Sequence, residues 1–120
     1  MNAILEKSKK FAIRIVRLSQ YLQSEKQEHV MSKQLLRSGT SIGANVREST
    51  QAVSKADFTN KLSIALKECV ETEYWLELLA ETAYLTEQEF RSVYQDNQEL
   101  TKLLTAIINT MKRKELESNN

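Results

Sequence analysis

Proline is absent from all 120 residues, and the two glycines, Gly39 and Gly43, stand four apart. Glycine and proline supply most tight turns, and a sandwich or barrel of short strands needs a turn every few residues. This chain has material for very few turns, so long helices are what remain. Its length fits one domain, residues 1–120, that buries roughly 65% of the surface its unfolded chain exposes. With 41% apolar and 28% charged residues it is neither disordered nor membrane-embedded. No apolar run approaches the roughly 18 residues a bilayer crossing needs, and MNAILEKSKK lacks a signal-peptide core. The expectation is a cytoplasmic protein with no membrane partner.

Periodicity predicts four helices. In the first, residues 3–23, Ile4, Ser8, Phe11, Ile15, Leu18 and Leu22 recur by threes and fours on one face. The second is predicted over 25–52, the third over 55–84 with Cys69 and Ala83 on its seam, and the fourth over 87–115. Ser24 with Gln27, Ser54 with Asp57 and Thr86 with Glu89 have the spacing of capping boxes. Val53 with Phe58 and Leu85 with Phe90 have the spacing of hydrophobic staples. The breaks are short, so successive helices must run antiparallel. The predicted architecture is all-α, an up-down-up-down four-helix bundle with a polar, frayed tail from Glu115.

Helix 2 contains Ser38-Gly39-Thr40-Ser41-Ile42-Gly43-Ala44, a stretch nearly free of bulk. Each interior glycine costs roughly 1 kcal/mol relative to alanine. Either the helix breaks there, or the small residues admit another helix at close range. The apolar surface is also wider than one seam per helix. Ile64, Trp75 and Leu78 lie well away from the helix 3 seam, and Leu103 and Ile108 widen that of helix 4. Leftover apolar surface with a tryptophan in it marks an interface, and a second copy is the economical partner. The other reading tucks Trp75 under a neighbouring helix of its own chain.

Catalytic chemistry is hard to assemble from this inventory. His29 and Cys69 are each the only residue of their type. That leaves no disulfide, no multi-cysteine zinc site and no base to spare for a serine nucleophile. No Gly-rich phosphate loop occurs, and no Glu is followed three residues later by His, as a di-iron bundle requires. The reading is a non-enzyme without metal or cofactor.

Charge is balanced overall but not along the chain. Residues 1–67 hold 12 Lys and Arg against 5 Asp and Glu, and residues 68–120 hold 5 against 11. In helix 1, Lys7, Lys10, Arg14 and Arg17 recur at three and four residues as a basic stripe, a candidate for RNA or DNA backbone contacts. The competing expectation is neutralisation by acidic helix 3, which carries Glu68, Glu71, Glu73, Glu77 and Glu81. A structural polar network is expected among Arg37, Asn45, Glu48, Lys67, Glu68 and Glu71, with Arg47 as a further pairing candidate.

Two segments carry a resemblance. One is Leu35-Leu36-Arg37-Ser38 followed by Ser41-Ile42-Gly43-Ala44-Asn45-Val46-Arg47-Glu48. The other is Ser54-Lys55-Ala56-Asp57-Phe58, leading to Lys67-Glu68-Cys69-Val70-Glu71-Thr72-Glu73-Tyr74-Trp75-Leu76-Glu77-Leu78-Leu79. Together they resemble the four-helix-bundle family of 23S ribosomal RNA intervening-sequence proteins. The resemblance implies a small bundle whose family name reflects gene location, and structural roles for Arg37, Asn45, Glu48, Glu68, Glu71 and Trp75. Related bundles form five-membered rings, so a pentamer is the favoured homo-oligomer. A similar group, the accessory variability determinants of diversity-generating retroelements, binds nucleic acid and a reverse transcriptase through a basic barrel surface. Two functions are therefore in play: a nucleic-acid-associated oligomeric scaffold, or a protein-protein adaptor and self-assembling module with no nucleic-acid role.

Overall fold

The structure, a computed structural model, describes residues 1–118 and contains four helices: α1 Asn2–Ser24, α2 Met31–Ser49, α3 Lys55–Glu81 and α4 Glu87–Ser118. They pack cyclically, α1 on α2, α2 on α3, α3 on α4 and α4 on α1, in a body of 55 × 23 × 21 Å. The direction of each helix follows from its cross-helix contacts. Along α2, Arg37 meets Glu68 while Glu48 meets Lys61, so α2 and α3 run oppositely. Asn97 bonds back to Cys69, and Tyr94 to Glu73, which sets α3 against α4. Lys7 pairs with Glu99 and Arg14 with Asp96, which sets α1 against α4.

Of the seam predicted for the first helix, Ile4, Ser8, Phe11, Ile15 and Leu22 are buried and Leu18 is half-buried. Ile15, Leu35, Ile42, Leu76 and Leu104 are fully enclosed, and Cys69 sits among them as a small apolar group. Helix 2 does not break. An added Cβ on Gly39 would lie 2.8 Å from two carbons of Ile15, and one on Gly43 would lie 3.2 Å from the Ser8 carbonyl oxygen. The glycines therefore let α1 lie directly on the α2 backbone. That close approach offsets their poor helix propensity.

Helix ends depart from the sequence reading at several places, among them the end of α2 at Ser49, three residues before the predicted one. Ser24 and Gln27 do not open α2. Gln27 takes a left-handed backbone (φ 55°) and its amide donates to the Ser24 carbonyl, so the pair closes α1 instead. α2 begins six residues later than predicted, and Glu28 starts it. The Glu28 carboxylate accepts from the backbone N–H groups of Val30, Met31 and Ser32, the last at 2.7 Å. α3 stops at Glu81 because Ala83 turns left-handed (φ 67°), with Tyr84 N–H donating to the Leu79 carbonyl at 2.9 Å. Ala83 is exposed and not on the seam. Val53 is 92% exposed and staples nothing.

The Ser54 and Thr86 starts are made as predicted. The Ser54 hydroxyl accepts from Asp57 N–H at 3.0 Å. Thr86 and Glu89 complete a reciprocal box, each side chain accepting from the other's N–H. α4 continues beyond residue 115 as helix to Ser118, and Asn119 and Asn120 lie outside the described residues.

Candidate interaction surfaces

Lys7, Lys10, Arg14 and Arg17 do share one side of α1, because steps of three and four return to the same helix face. They are not a free array. Lys7 pairs with Glu99, Lys10 with Glu6 at 3.0 Å, and Arg14 with Asp96 at 2.7 Å. Arg14 also donates to the Ser92 carbonyl at 3.2 Å. Arg17 has no ion-pair partner among the described residues. The neutralising acids come from α4 and from α1 itself, not from α3 as the competing expectation had it. α1 and α3 stand diagonally across the bundle, with no close approach of their backbones.

The acids of α3 are used on the α2 side. Arg37 lies between Glu68, at 3.3 Å, and Glu71, and Glu71 in turn accepts the Trp75 indole N–H at 3.0 Å. This is a half-exposed network, since the Arg37 side chain is 51% accessible. The other expected members do not join it. Glu48 pairs weakly with Lys61 at 3.9 Å, Asn45 donates to Ser41 one turn back, and Lys67 is exposed with no ion pair among the described residues. Arg47, too, is exposed and forms no ion pair among the described residues. On the opposite side of α3, Glu73 accepts from the Tyr94 hydroxyl at 3.0 Å. Burial first, and then that carboxylate, hold the Tyr94 phenol above its ordinary pKa.

The expected interface residues divide. Ile108 is buried in its own core and is no surface group. Trp75 and Leu103 are half-buried against that core, and Ile64 and Leu78 are half-buried on α3. The more open apolar groups are ones the sequence reading passed over: Ile13 (47% exposed), Val16 (38%), Val70 (60%) and Tyr74 (53%). A helical-wheel signal for them exists, because each lies 100° or more from its seam. The Tyr74 ring meets Trp75 edge-on, with centroids 5.0 Å apart.

Neither single reactive group has a catalytic setting. Burial raises the Cys69 thiol to about 12, so it stays protonated at neutral pH. His29 is exposed in the α1–α2 link, ahead of α2 and not in its first turn. No group of three or more His, Cys, Asp or Glu among the described residues could hold a metal ion. No helix of the described residues is long and apolar enough to cross a membrane.

Comparison with known sequences places the chain. The sequence model of the 23S rRNA-intervening sequence protein family matches residues 2–106. The chain belongs to that family. The intervening-sequence match takes in α1, α2, α3 and most of α4, with every member of the Arg37 network inside it. A crystal structure from Bacteroides thetaiotaomicron, described as a protein of unknown function from the S23 ribosomal protein family, is 59% identical with a TM-score of 0.87. The likeness covers 88% of this chain and 97% of that one. No curated protein matches the chain.

Proposed function

We propose that this intervening-sequence family member is a non-enzymatic, self-assembling bundle of the cytoplasm, a protein scaffold whose partner is first of all itself. A pentameric ring is the assembly that the family resemblance favours. One observation carries the reading. Three of the four stripe cations are matched by carboxylates, whereas Ile13, Val16, Val70 and Tyr74 remain open on the surface. Desolvating those apolar groups favours a protein partner, and soluble proteins assemble mostly with themselves. Light scattering coupled to size exclusion tests it. An oligomer at micromolar concentration is expected, and a monomer overturns the proposal.

A second reading keeps the nucleic-acid role. Arg17 has no ion pair among the described residues, and the stripe's ion pairs are solvent-exposed, so phosphates could compete for their cations. Repetition of the stripe around a ring would add weak contacts together. Binding of RNA or DNA should then fall with salt, by a log–log slope of roughly 0.7 to 0.9 per phosphate contact. Replacing Lys7, Lys10, Arg14 and Arg17 with Gln should abolish it while the bundle stays folded. No binding by the unaltered protein at about 50 mM salt rejects this reading.

A further inference from the structure

A shallow hollow of about 270 Å³ lies between α1 and α2, lined by Leu5, Lys9, Ala12, Gly43, Ala44 and Arg47 among others. Its floor is shallow in bulk because Ala12, Gly43 and Ala44 carry almost no side chain. Ile13 and Val16 continue the apolar surface along α1, one turn apart. Its charges are all of one sign: Lys9 and Arg47 are exposed and form no ion pair among the described residues. This face is thus apolar at the centre and basic at the edge.

The outer side of α3 has the converse character. Val70 and Tyr74 stand out from it, four residues apart on one face. Glu73 and Glu77 flank them on the α4 side, and Glu81 follows one turn on. Lys67 stands at the other end of the strip. The Tyr74 ring meets Trp75 edge-on, and a tyrosine has only two side-chain torsions to fix on docking. Nucleic acid fits the α1–α2 face poorly, because Leu5, Ile13 and Val16 would be left against phosphate and sugar. A second copy offers what is missing, an aromatic group for the hollow and carboxylates for the two cations.

Resting on the self-assembly reading, we propose that copies of this chain join head to tail, with Tyr74 of one copy seated in the α1–α2 hollow of the next. Lys9 and Arg47 face the tyrosine ring and the carboxylates of Glu77 and Glu81, combining cation–π attraction with charge pairing. The two faces lie on different helices, and the α1 and α3 backbones stand diagonally across the bundle, so one copy can use both at once. The contact is heterologous and propagates until it closes into a ring.

Two half-dead variants test it. Ala44→Arg fills the hollow and leaves Tyr74 intact, and Tyr74→Ala removes the tyrosine and leaves the hollow intact. Each alters an exposed residue, and circular dichroism checks that each remains helical. Loss of the aromatic anchor should weaken assembly roughly 30-fold or more. Each variant alone should run as a monomer in light scattering, and an equal mixture should form a dimer, joined through the one intact tyrosine and the one intact hollow. Lys9→Glu with Arg47→Glu should also dissociate the assembly, and adding Glu77→Lys with Glu81→Lys in the same chain should restore it. Variants that assemble like the unaltered protein overturn this interface and leave the self-assembly reading standing. Monomeric variants that fail to pair on mixing also overturn it. An unaltered protein that is itself monomeric overturns both proposals. So does a monomer that binds an RNA oligonucleotide only while Lys9 and Arg47 are present, which assigns the face to nucleic acid.

Discussion

At the scale of single residues, Gly39 shows how packing outweighs propensity. Alanine there gains roughly 1 kcal/mol of helix propensity. Its methyl would strike Cγ1 and Cγ2 of Ile15, both at 2.8 Å, and Ile15 is fully buried and β-branched, with one preferred rotamer in a helix. The clash cannot be relieved by rotation, so Gly39→Ala should lower stability by about 1–3 kcal/mol in urea unfolding. Equal or higher stability would show that α1 and α2 can separate freely. That a helix approaches here was legible in the glycine pair, but which helix was not, since no sequence spacing names a partner across the bundle. Cys69 was legible as a buried seam thiol. With its pKa at about 12 it should resist a thiol reagent at pH 8 in the folded protein and react on denaturation. Labelling as fast as that of a free thiol would contradict its burial. Asn97 is the unread residue. Its amide donates to the Cys69 carbonyl at 2.9 Å while its Oδ1 is enclosed without a partner among the described residues. A polar tie between α3 and α4 fixes their register at some cost in stability.

At the scale of helices and their ends, side-chain spacing was a good guide where the cap stood next to its helix. Ser54 and Thr86 are such cases. It failed at Ser24, because the same Ser-x-x-Gln spacing serves equally to end a helix once Gln27 turns left-handed. The true start of α2 depends on Glu28, which sits two residues before the cap position and matches no common capping pattern. Burial alone would raise the Glu28 pKa. The hydrogen bonds from Ser32, Met31 and Val30 outweigh it and hold the carboxyl below its ordinary value of 4.5. A group with a depressed folded pKa stabilises the fold above its unfolded pKa and loses that contribution as pH falls through the folded value. Glu28→Gln should therefore cost about 1.5–3 kcal/mol at pH 7, the worth of hydrogen bonds to a charged group. The gap between variant and parent should narrow as pH drops below about 4.5. A gap independent of pH would mean that charge plays no part in starting α2. At the end of α3, Ala83 adopts a left-handed backbone that glycine takes without penalty. Because Ala83 is exposed and loses no packing, Ala83→Gly should raise the urea midpoint, by about 0.5–1 kcal/mol in stability. A lowered midpoint would refute the strain.

At the scale of the whole molecule, the fold class was legible because seams, caps and missing turn residues all pointed the same way. The surface was less so. The wheel of α1 places its cations on one side, but only the neighbouring helix decides whether they are free, and α4 brings Asp96 and Glu99 to them. Likewise the wheel of α3 marks Trp75 as outlying, yet the Arg37 network and its own core half cover it. The last turns of α4 present the converse situation. Every residue from Lys112 to Ser118 is exposed, including Leu116, and the family match ends at residue 106. A helix end with no buried face rests on propensity alone, which is marginal for so short a segment. Ending the chain after Met111 should then change stability by less than about 0.5 kcal/mol, as for surface changes generally. It should leave the assembly state untouched, because neither the α1–α2 hollow nor the Tyr74 strip includes this segment. The contrary outcome is specific. The segment forms one wall of a groove with the start of α3, where Lys114 and Glu115 face Lys55, Thr59 and Asn60 across about 610 Å³. If shortening dissolved the oligomer while the bundle stayed folded, that end of the molecule would be the true interface. Tyr74→Ala would then leave the assembly intact, so the two measurements together assign the interface to one place or the other.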